Sequence, residues 1–488
     1  MPTATPQDPP APPDVVVIMT DQQVVGCTAA SGGPDTMPRT DALLAGGTRF
    51  TRARTSSPLC VPARESLLTG RFPSAHRVRQ NSTARHALYG TDLLDVLRGC
   101  GYSLHFSGKP HMHPGPSDFD SFTGPFLHDH GPGAAVDGFA AWLRAMDHGV
   151  AHAPTPFPVE DQFPHRIVDG ALASLEAAPE DAPRFLWVSF PEPHNPYQVP
   201  EPYFSMFEDE VPPRATDTSV LDGMDWRFRW LHRLFEEKRP GFDDDWRRYR
   251  ANYLGMLRLI DDQIGRVLDA IAAAGRDTIV VVLADHGDFL GEYGLQRKGA
   301  AMPDALMRIP LGFAGPGIAA AEREELVSIV DVLPTLADLL TGEIPAGVQG
   351  RSLLPLLRGE AAPAEEFGSI LGELGFGGVS YDEDARPPLH FPYEGRSLDE
   401  LNSVTMGGEM RMLVRGHHKL VVDDRGRDTL HDLEADPLEI HDLSGDPDRQ
   451  GLRAELHREL VRWMMRVADD LPEGDYVPRT RPHHWRWA

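Results

Sequence analysis

Four short runs along the chain are mostly apolar, Val15 to Met19 without interruption, and each ends in a polar cluster. Val15 to Met19 runs into Thr20-Asp21-Gln22-Gln23, and Tyr102 to Phe106 into Ser107-Gly108-Lys109-Pro110-His111. Phe185 to Phe190 runs into Pro191-Glu192-Pro193-His194-Asn195, and Thr278 to Leu283 into Ala284-Asp285-His286-Gly287-Asp288. Runs of this length rich in β-branched and aromatic residues are the pattern of strands buried on both faces, as in a parallel sheet. In open α/β sheets ligands gather beyond the carboxyl ends of the strands, which makes Asp21 a candidate ligand. On local rules alone it serves equally as a loop-capping carboxylate.

Helical periodicity marks other segments. Asp92 to Cys100 is amphipathic with glycines at its end, which predicts a helix with Cys100 in the core. Tyr253 to Ala274 is apolar at 254, 257, 260, 264, 268 and 271, a helix stopped by Gly275 with Asp261 and Asp262 on its polar side. Asp331 to Leu340 reads as a helix capped by Asp331, Pro38 to Leu44 as a shorter one, and residues 131–178 as helix with loops. Thr48 to Arg54 and Arg308 to Phe313 read as further strands. The stretch 200–250, rich in Pro, Asp and aromatics, predicts a long irregular segment in which Trp226, Trp230 and Trp246 pack.

From about residue 365 the pattern changes to short strands, Ile370 to Glu373, Met410 to Val414, Lys419 to Val422 and Thr429 to Leu433, before a terminal helix, Leu452 to Ala468. That predicts a small antiparallel sheet covered by one helix. The fold class is α/β, in three parts: a flexible Pro-rich arm (1–13), a large domain (14–364) and a C-terminal α+β subdomain (365–488).

Composition narrows the partners. A net charge of −26 argues against nucleic acid or an anionic membrane surface, so an anionic substrate must be drawn by a local basic pocket. Cys27, Cys60 and Cys100 do not make a disulfide framework, and no apolar run approaches a membrane span. The N-terminal MPTATPQDPPAPP has neither a basic region nor an apolar core, which predicts no signal peptide and a cytoplasmic protein. The tail His483-His484-Trp485-Arg486-Trp487 is too aromatic for an ordinary solvated terminus, and points either to a homo-oligomer contact or to packing on its own chain. His113, His128 and His130 fall in a Gly/Pro-rich loop and read as surface residues.

The most informative stretch is Ser56 to Arg71, SSPLCVPARESLLTGR. Pro62 suits a first helical turn, and Gly70 offers a left-handed stop. Cys60 then sits just before a helix N-terminus, where free N–H groups and the dipole favour negative charge. Arg64 lies one turn along on a similar face and can reach back toward the same point. A thiol, a cation and a helix N-terminus converge on a site for an anion.

The spacing Cys60-x-Pro62-x-Arg64, followed by Leu68-Thr69-Gly70-Arg71, resembles the signature of the sulfatase family, within the alkaline-phosphatase-like superfamily. The resemblance continues in blocks from residue 14 to about 447. It implies a mostly parallel mixed sheet between helices in the large, catalytic domain. It also implies that Cys60 is oxidised to formylglycine by a formylglycine-generating enzyme. Asp21, Gln22, Asp285 and His286, with the side chain at position 60, would hold one divalent cation. Lys109 and His111 would face the hydrated aldehyde and the sulfate, His194 would protonate the leaving group, and Lys298 would contact the sulfate near its bridging oxygen. Arg297 is the neighbouring alternative to Lys298, and Asn81 falls where related enzymes place a residue close to the nucleophile.

What the resemblance implies is hydrolysis of a small sulfate ester, with Arg64, Lys109, His111, Lys298 and the cation offsetting the charge on sulfur's oxygens. Oxygen-rich ligands point to calcium, whereas His286 and the single first-motif carboxylate open the site to manganese or magnesium. The Asp-Gln and Asp-His pairs are similar to those of choline sulfatases and of phosphonate monoester hydrolases. A phosphonate monoester or phosphodiester hydrolase with the same site is therefore a second reading. An anion-binding protein whose Cys60 stays unoxidised is a third.

Overall fold

The computed structural model describes residues 12–81, 83–127, 138–299, 301–376, 381–387, 391–393, 396–398 and 407–468. Most of the N-terminal arm, His128, His130 and the aromatic tail lie outside the described residues.

All four runs are strands: β1 (Asp14–Asp21), β3 (Ser103–Gly108), β5 (Arg184–Pro193) and β6 (Thr278–Ala284). With the short strands β2 (Thr48–Phe50), β4 (Ser121–Thr123), β7 (Leu311–Ala314) and β8 (Ala321–Arg323) they form a sheet in the order β4-β3-β5-β1-β6-β7-β2-β8. β4, β3, β5, β1 and β6 are mutually parallel, and β7 runs antiparallel to both its neighbours. Val15 to Met19 pairs with Phe185 to Ser189 on one side and with Ile279 to Leu283 on the other. Both faces of this central strand are covered as well, which explains the absence of polar residues from Val15 to Met19.

Alternation along β1 separates two core layers. Val15, Val17 and Met19 pack in one layer with Leu67 and Leu68 of the helix Cys60–Thr69. Val16 and Ile18 pack in the other, with Leu257, Ile260 and Ile264 of the helix Trp246–Ala274. Burying each such side chain contributes about 1.5–3 kcal/mol, so the centre of the sheet is a firm base for the turns at its strand ends.

Several segments depart from the sequence-based expectation. The stretch 200–250 is not irregular: it holds the helices Tyr203–Met206 and Trp226–Lys238 and the start of Trp246–Ala274. Trp226 and Trp230 are buried and do pack. Asp261 is buried instead of lying on a polar face. Its carboxylate accepts the N–H groups of Arg39 (2.7 Å) and Thr40 (2.9 Å) at the start of the helix Pro38–Ala45. Asp331 does not cap the helix Val332–Thr341 with its side chain, which instead receives Arg351 at 3.1 Å and the Ser328 N–H at 2.8 Å. Cys100 is only partly buried, at the edge of the first core layer.

Toward the C-terminus come β9 (Ser369–Leu374), the pair β10 (Phe391–Tyr393) and β11 (Arg396–Leu398), then β12 (Met410–Arg415), β13 (His418–Asp423) and β14 (Asp428–Asp432). β14, β13, β12 and β9 make an antiparallel sheet, and the helix Gln450–Val467 buries Leu456, Leu460 and Trp463. Among the described residues no helix is long and apolar enough to cross a membrane.

Candidate active site

β3, β5, β1 and β6 are neighbours in the sheet, so their carboxyl ends lie side by side. These ends carry Lys109, His194, Asp21-Gln22 and Asp285-His286. The helix Cys60–Thr69 opens at the same place. It begins at Cys60 itself, one residue earlier than local rules suggest, and Gly70 closes it with φ 62°. The Val61 N–H, one of the free donors of the first turn, is taken by Asn81 Oδ1 at 3.1 Å.

Asp21, Cys60, Asp285 and His286 each turn one ligand atom into a cluster whose atoms lie within 4.8 Å of one another, and all four residues are buried. Cys60 Sγ is 3.2 Å from His286 Nε2 and 3.7 Å from Asp21 Oδ1. His286 Nδ1 is 2.9 Å from the Gly287 carbonyl. A carbonyl only accepts, so Nδ1 carries the proton and neutral His286 turns the lone pair of Nε2 toward the cluster. Burial lowers the His286 pKa, which favours that neutral form. Two carboxylates and an imidazole lone pair fit one divalent cation.

Three cations surround this group. Lys109 Nζ is 2.8 Å from Asp21 Oδ2, and Lys298 Nζ donates to Gln22 Oε1 at 2.9 Å. Arg64 is fully buried beneath them. Its Nη2 meets Asp21 Oδ2 at 3.0 Å and its Nε meets Asp285 Oδ2 at 2.8 Å, while Nη1 donates to Ser189 Oγ and the Lys109 carbonyl. Burial would raise the Asp21 pKa, but Lys109, then Arg64, His194 and His286, hold its carboxyl well below the usual range. The Cys60 thiol moves the other way: burial, then the Asp21 charge, push it up to about 12. Gly108 makes the approach of Lys109 feasible. It sits at φ 130°, where an added Cβ would lie 1.8 Å from the Ser189 carbonyl oxygen.

His194 is buried at the end of β5, with Nδ1 2.8 Å from the Asn195 carbonyl. Arg297 and Lys298 go to different partners: Arg297 Nε donates to Asn195 Oδ1 at 2.7 Å. Arg297 adopts a left-handed conformation, at φ 68°. His111 is partly exposed and left-handed, at φ 36°.

The sulfatase family model matches residues 13–342, a span that covers all these strand ends. The chain belongs to the sulfatase family. It is a sulfuric ester hydrolase on an alkaline-phosphatase-like fold. An uncharacterized sulfatase of Escherichia coli K12 is 28% identical over 97% of this chain and 90% of its own length. The choline-sulfatase of Rhizobium meliloti is 29% identical over 94% of this chain and 88% of its own. Among solved structures, the phosphonate monoester hydrolase of Agrobacterium radiobacter superposes with a TM-score of 0.73 at 23% identity, covering 93% of this chain and 96% of that one.

The structure also brings to the site residues that the sequence did not single out. Asp288 is buried beside Gln22 and accepts the Gln22 side-chain N–H, the hydroxyls of Tyr197 (2.9 Å) and Tyr249, and the backbone N–H of Leu290 (2.7 Å) and Arg297 (3.0 Å). Its place three residues after Asp285, in the same strand-end turn, was the available signal. His113 is not a surface residue, because it lies between Glu65 and Asp92.

Proposed function

We propose that the protein hydrolyses sulfate monoesters of small alcohols, using a formylglycine made from Cys60 and one divalent cation. The observation that carries this reading is the convergence of Asp21, Cys60, Asp285 and His286 on a point ringed by Arg64, Lys109 and Lys298. Asp21, Asp285, His286 and the Gln22 carbonyl oxygen would hold the cation. Calcium suits the oxygens, and manganese or magnesium would tolerate the imidazole. When bound, the cation would supply Lewis-acid charge that makes a hydroxyl of the hydrated aldehyde at position 60 a better nucleophile, and the second hydroxyl would release sulfate by re-forming the aldehyde.

The remaining work falls to this chain's own side chains. Lys109 and Lys298 offer ammonium protons to sulfate oxygens, countering the negative charge that otherwise repels a nucleophile from sulfur. Arg64 holds Asp21 and Asp285 in place and adds positive charge beneath them. His111 adds a further polar contact from the Lys109 loop. With Nδ1 committed to the Asn195 carbonyl, His194 would deliver the proton of Nε2 to the departing alcohol oxygen. Asn81 keeps the start of the Cys60 helix in register, and Arg297 orders the turn through Asn195.

The partners of this reading are a small sulfated substrate and a formylglycine-generating enzyme. The test is turnover of an aryl sulfate and an aryl phosphonate by protein made with and without that enzyme, each with and without chelator. Preferred sulfate turnover that needs both the maturing enzyme and the cation supports the reading. Preference for the phosphonate would move the substrate class, and equal turnover without maturation would overturn the nucleophile.

A further inference from the structure

The loop that carries Lys109 and His111 continues to His113, whose side chain is 11% exposed and lies between two carboxylates. Its Nδ1 is 2.6 Å from Glu65 Oε2 and its Nε2 is 2.9 Å from Asp92 Oδ2. The His113 backbone N–H donates to the other oxygen of Glu65 at 2.6 Å. Glu65 is fully buried in the Cys60 helix, next to Arg64, and Asp92 is the buried cap of the helix Leu93–Gly99. One imidazole therefore ties together the loop of Lys109, the helix that begins at Cys60 and a third helix.

The chemistry of the three groups defines the charge. Ionised carboxylates only accept, so both ring nitrogens must donate, and only the imidazolium can do that. Burial alone would lower the His113 pKa, but the hydrogen bonds to Asp92 and Glu65 carry it up to about 9. The Tyr89 ring also lies against His113, with centroids 4.4 Å apart. His76 is close enough to feel the His113 charge, and burial and Arg71 keep it neutral. Glu65 and Asp92 therefore dominate the field at His113.

The loop between Lys109 and His113 needs such an anchor. His111 holds φ 36°, a conformation that non-glycine residues avoid unless their surroundings enforce it. Lys109 anchors the loop on one side of His111, and His113, two residues beyond it, anchors the other through both ring nitrogens.

We propose that His113 is a positioning residue for the reaction: as a cation shared by Glu65 and Asp92, it clamps the Lys109–His111 loop onto the helix that begins at Cys60. This rests on the proposed roles of Lys109, His111 and position 60. Loss of the proton leaves two buried carboxylates facing a ring with one donor, so the loop is released as pH rises through the His113 titration.

The test combines one readout that needs no turnover with one that does. Imidazole NMR of the full chain, with His113 identified by the signal lost in His113→Gln, should show a titration near the value of about 9. In Glu65→Gln, which keeps an acceptor but removes a charge, that midpoint should fall by about one pH unit or more. At a fixed neutral pH, amides 109–113 should exchange faster in His113→Gln than in the unmodified sequence. With aryl sulfate, the alkaline limb of kcat should follow the NMR midpoint and move with it in Glu65→Gln. His113→Gln should lose about a hundredfold in kcat, with a smaller change in KM.

A His113 that is neutral at pH 7 overturns the clamp. An alkaline limb that stays in place while the NMR midpoint moves overturns the positioning role. If the sulfatase reading fails, aryl sulfate turnover is absent, while the titration and exchange measurements still decide the clamp.

Discussion

Asp288 accepts the side-chain N–H of Gln22, and this contact settles which way the Gln22 amide faces. With its nitrogen held by Asp288, the Gln22 oxygen is turned to Lys298 Nζ at 2.9 Å, on the side of the candidate cation site. Gln22 itself adopts φ 71°, and its backbone N–H donates to Asp285 Oδ1 at 3.0 Å. A glutamine thus offers a neutral carbonyl oxygen where many sulfatases have a second carboxylate.

Asp288→Asn should weaken this arrangement. An asparagine amide can donate to the Gln22 oxygen once either group flips, so the ligand oxygen is no longer uniquely placed. Cation affinity should fall about 10–100-fold, as is usual when the partner of a metal ligand is lost. Calorimetric titration with Ca2+ and with Mn2+ measures it, and unchanged affinity for both would remove Asp288 from this role.

Asp285→Asn probes the ligand set directly. The amide oxygen can still accept the backbone N–H groups of Gln22 and His286, while the amide nitrogen faces Arg64 Nε; Arg64 keeps Asp21, Ser189 and the Lys109 carbonyl through its other nitrogens, so the fold should persist. Cation binding and turnover should both be lost. Elemental analysis showing a full equivalent of cation in an active variant would put the site elsewhere.

A third expectation concerns stability and pH. Lys419 on β13 is buried, with Nζ 2.7 Å from Glu439, 3.2 Å from Asp304 and 2.6 Å from the Met302 carbonyl, and Arg54 meets Asp304 at 2.6 Å. Burial would raise the Asp304 pKa, but Arg54 and then Lys419 hold the carboxyl far below its ordinary 3.8. A depressed folded-state pKa contributes stability that is complete above the unfolded value and is lost as pH falls through the folded one. Asp304→Asn should therefore cost about 3–5 kcal/mol in urea unfolding at neutral pH, since it leaves the buried Arg54 without its carboxylate, whereas Lys419 keeps Glu439. The deficit should shrink below about pH 4, where the aspartate of the unfolded parent takes up a proton that the folded parent does not yet bind. A deficit that does not change with pH would mean that shape, not charge, is at stake.

How much of this was legible in one dimension follows from where each contact partner sits. The runs before Asp21, Lys109, His194 and Asp285 are mostly apolar because core layers cover both faces of those strands, and their strand-end residues could be read at once. His113 was misread because its partners Glu65 and Asp92 lie 48 and 21 residues away, and nothing in a Gly/Pro-rich loop announces them. Asp261 was misread for the same reason, since it caps a helix 221 residues earlier. In the stretch 200–250, two of the aspartates taken as loop residues are helix starts: Asp217 accepts the Ser219 N–H and Asp225 the Arg227 N–H. The stretch around Cys60 was legible because Cys60, Pro62, Arg64 and Gly70 belong to one contiguous helix and its stop.

The central claim is that position 60 acts as formylglycine. The most direct measurement is the mass of the tryptic peptide Thr55 to Arg64 from protein made alongside a formylglycine-generating enzyme, set against specific activity on aryl sulfate. The account predicts that the aldehyde replaces the thiol and that activity rises in proportion to the converted fraction. Full activity in protein whose Cys60 is intact throughout would contradict it.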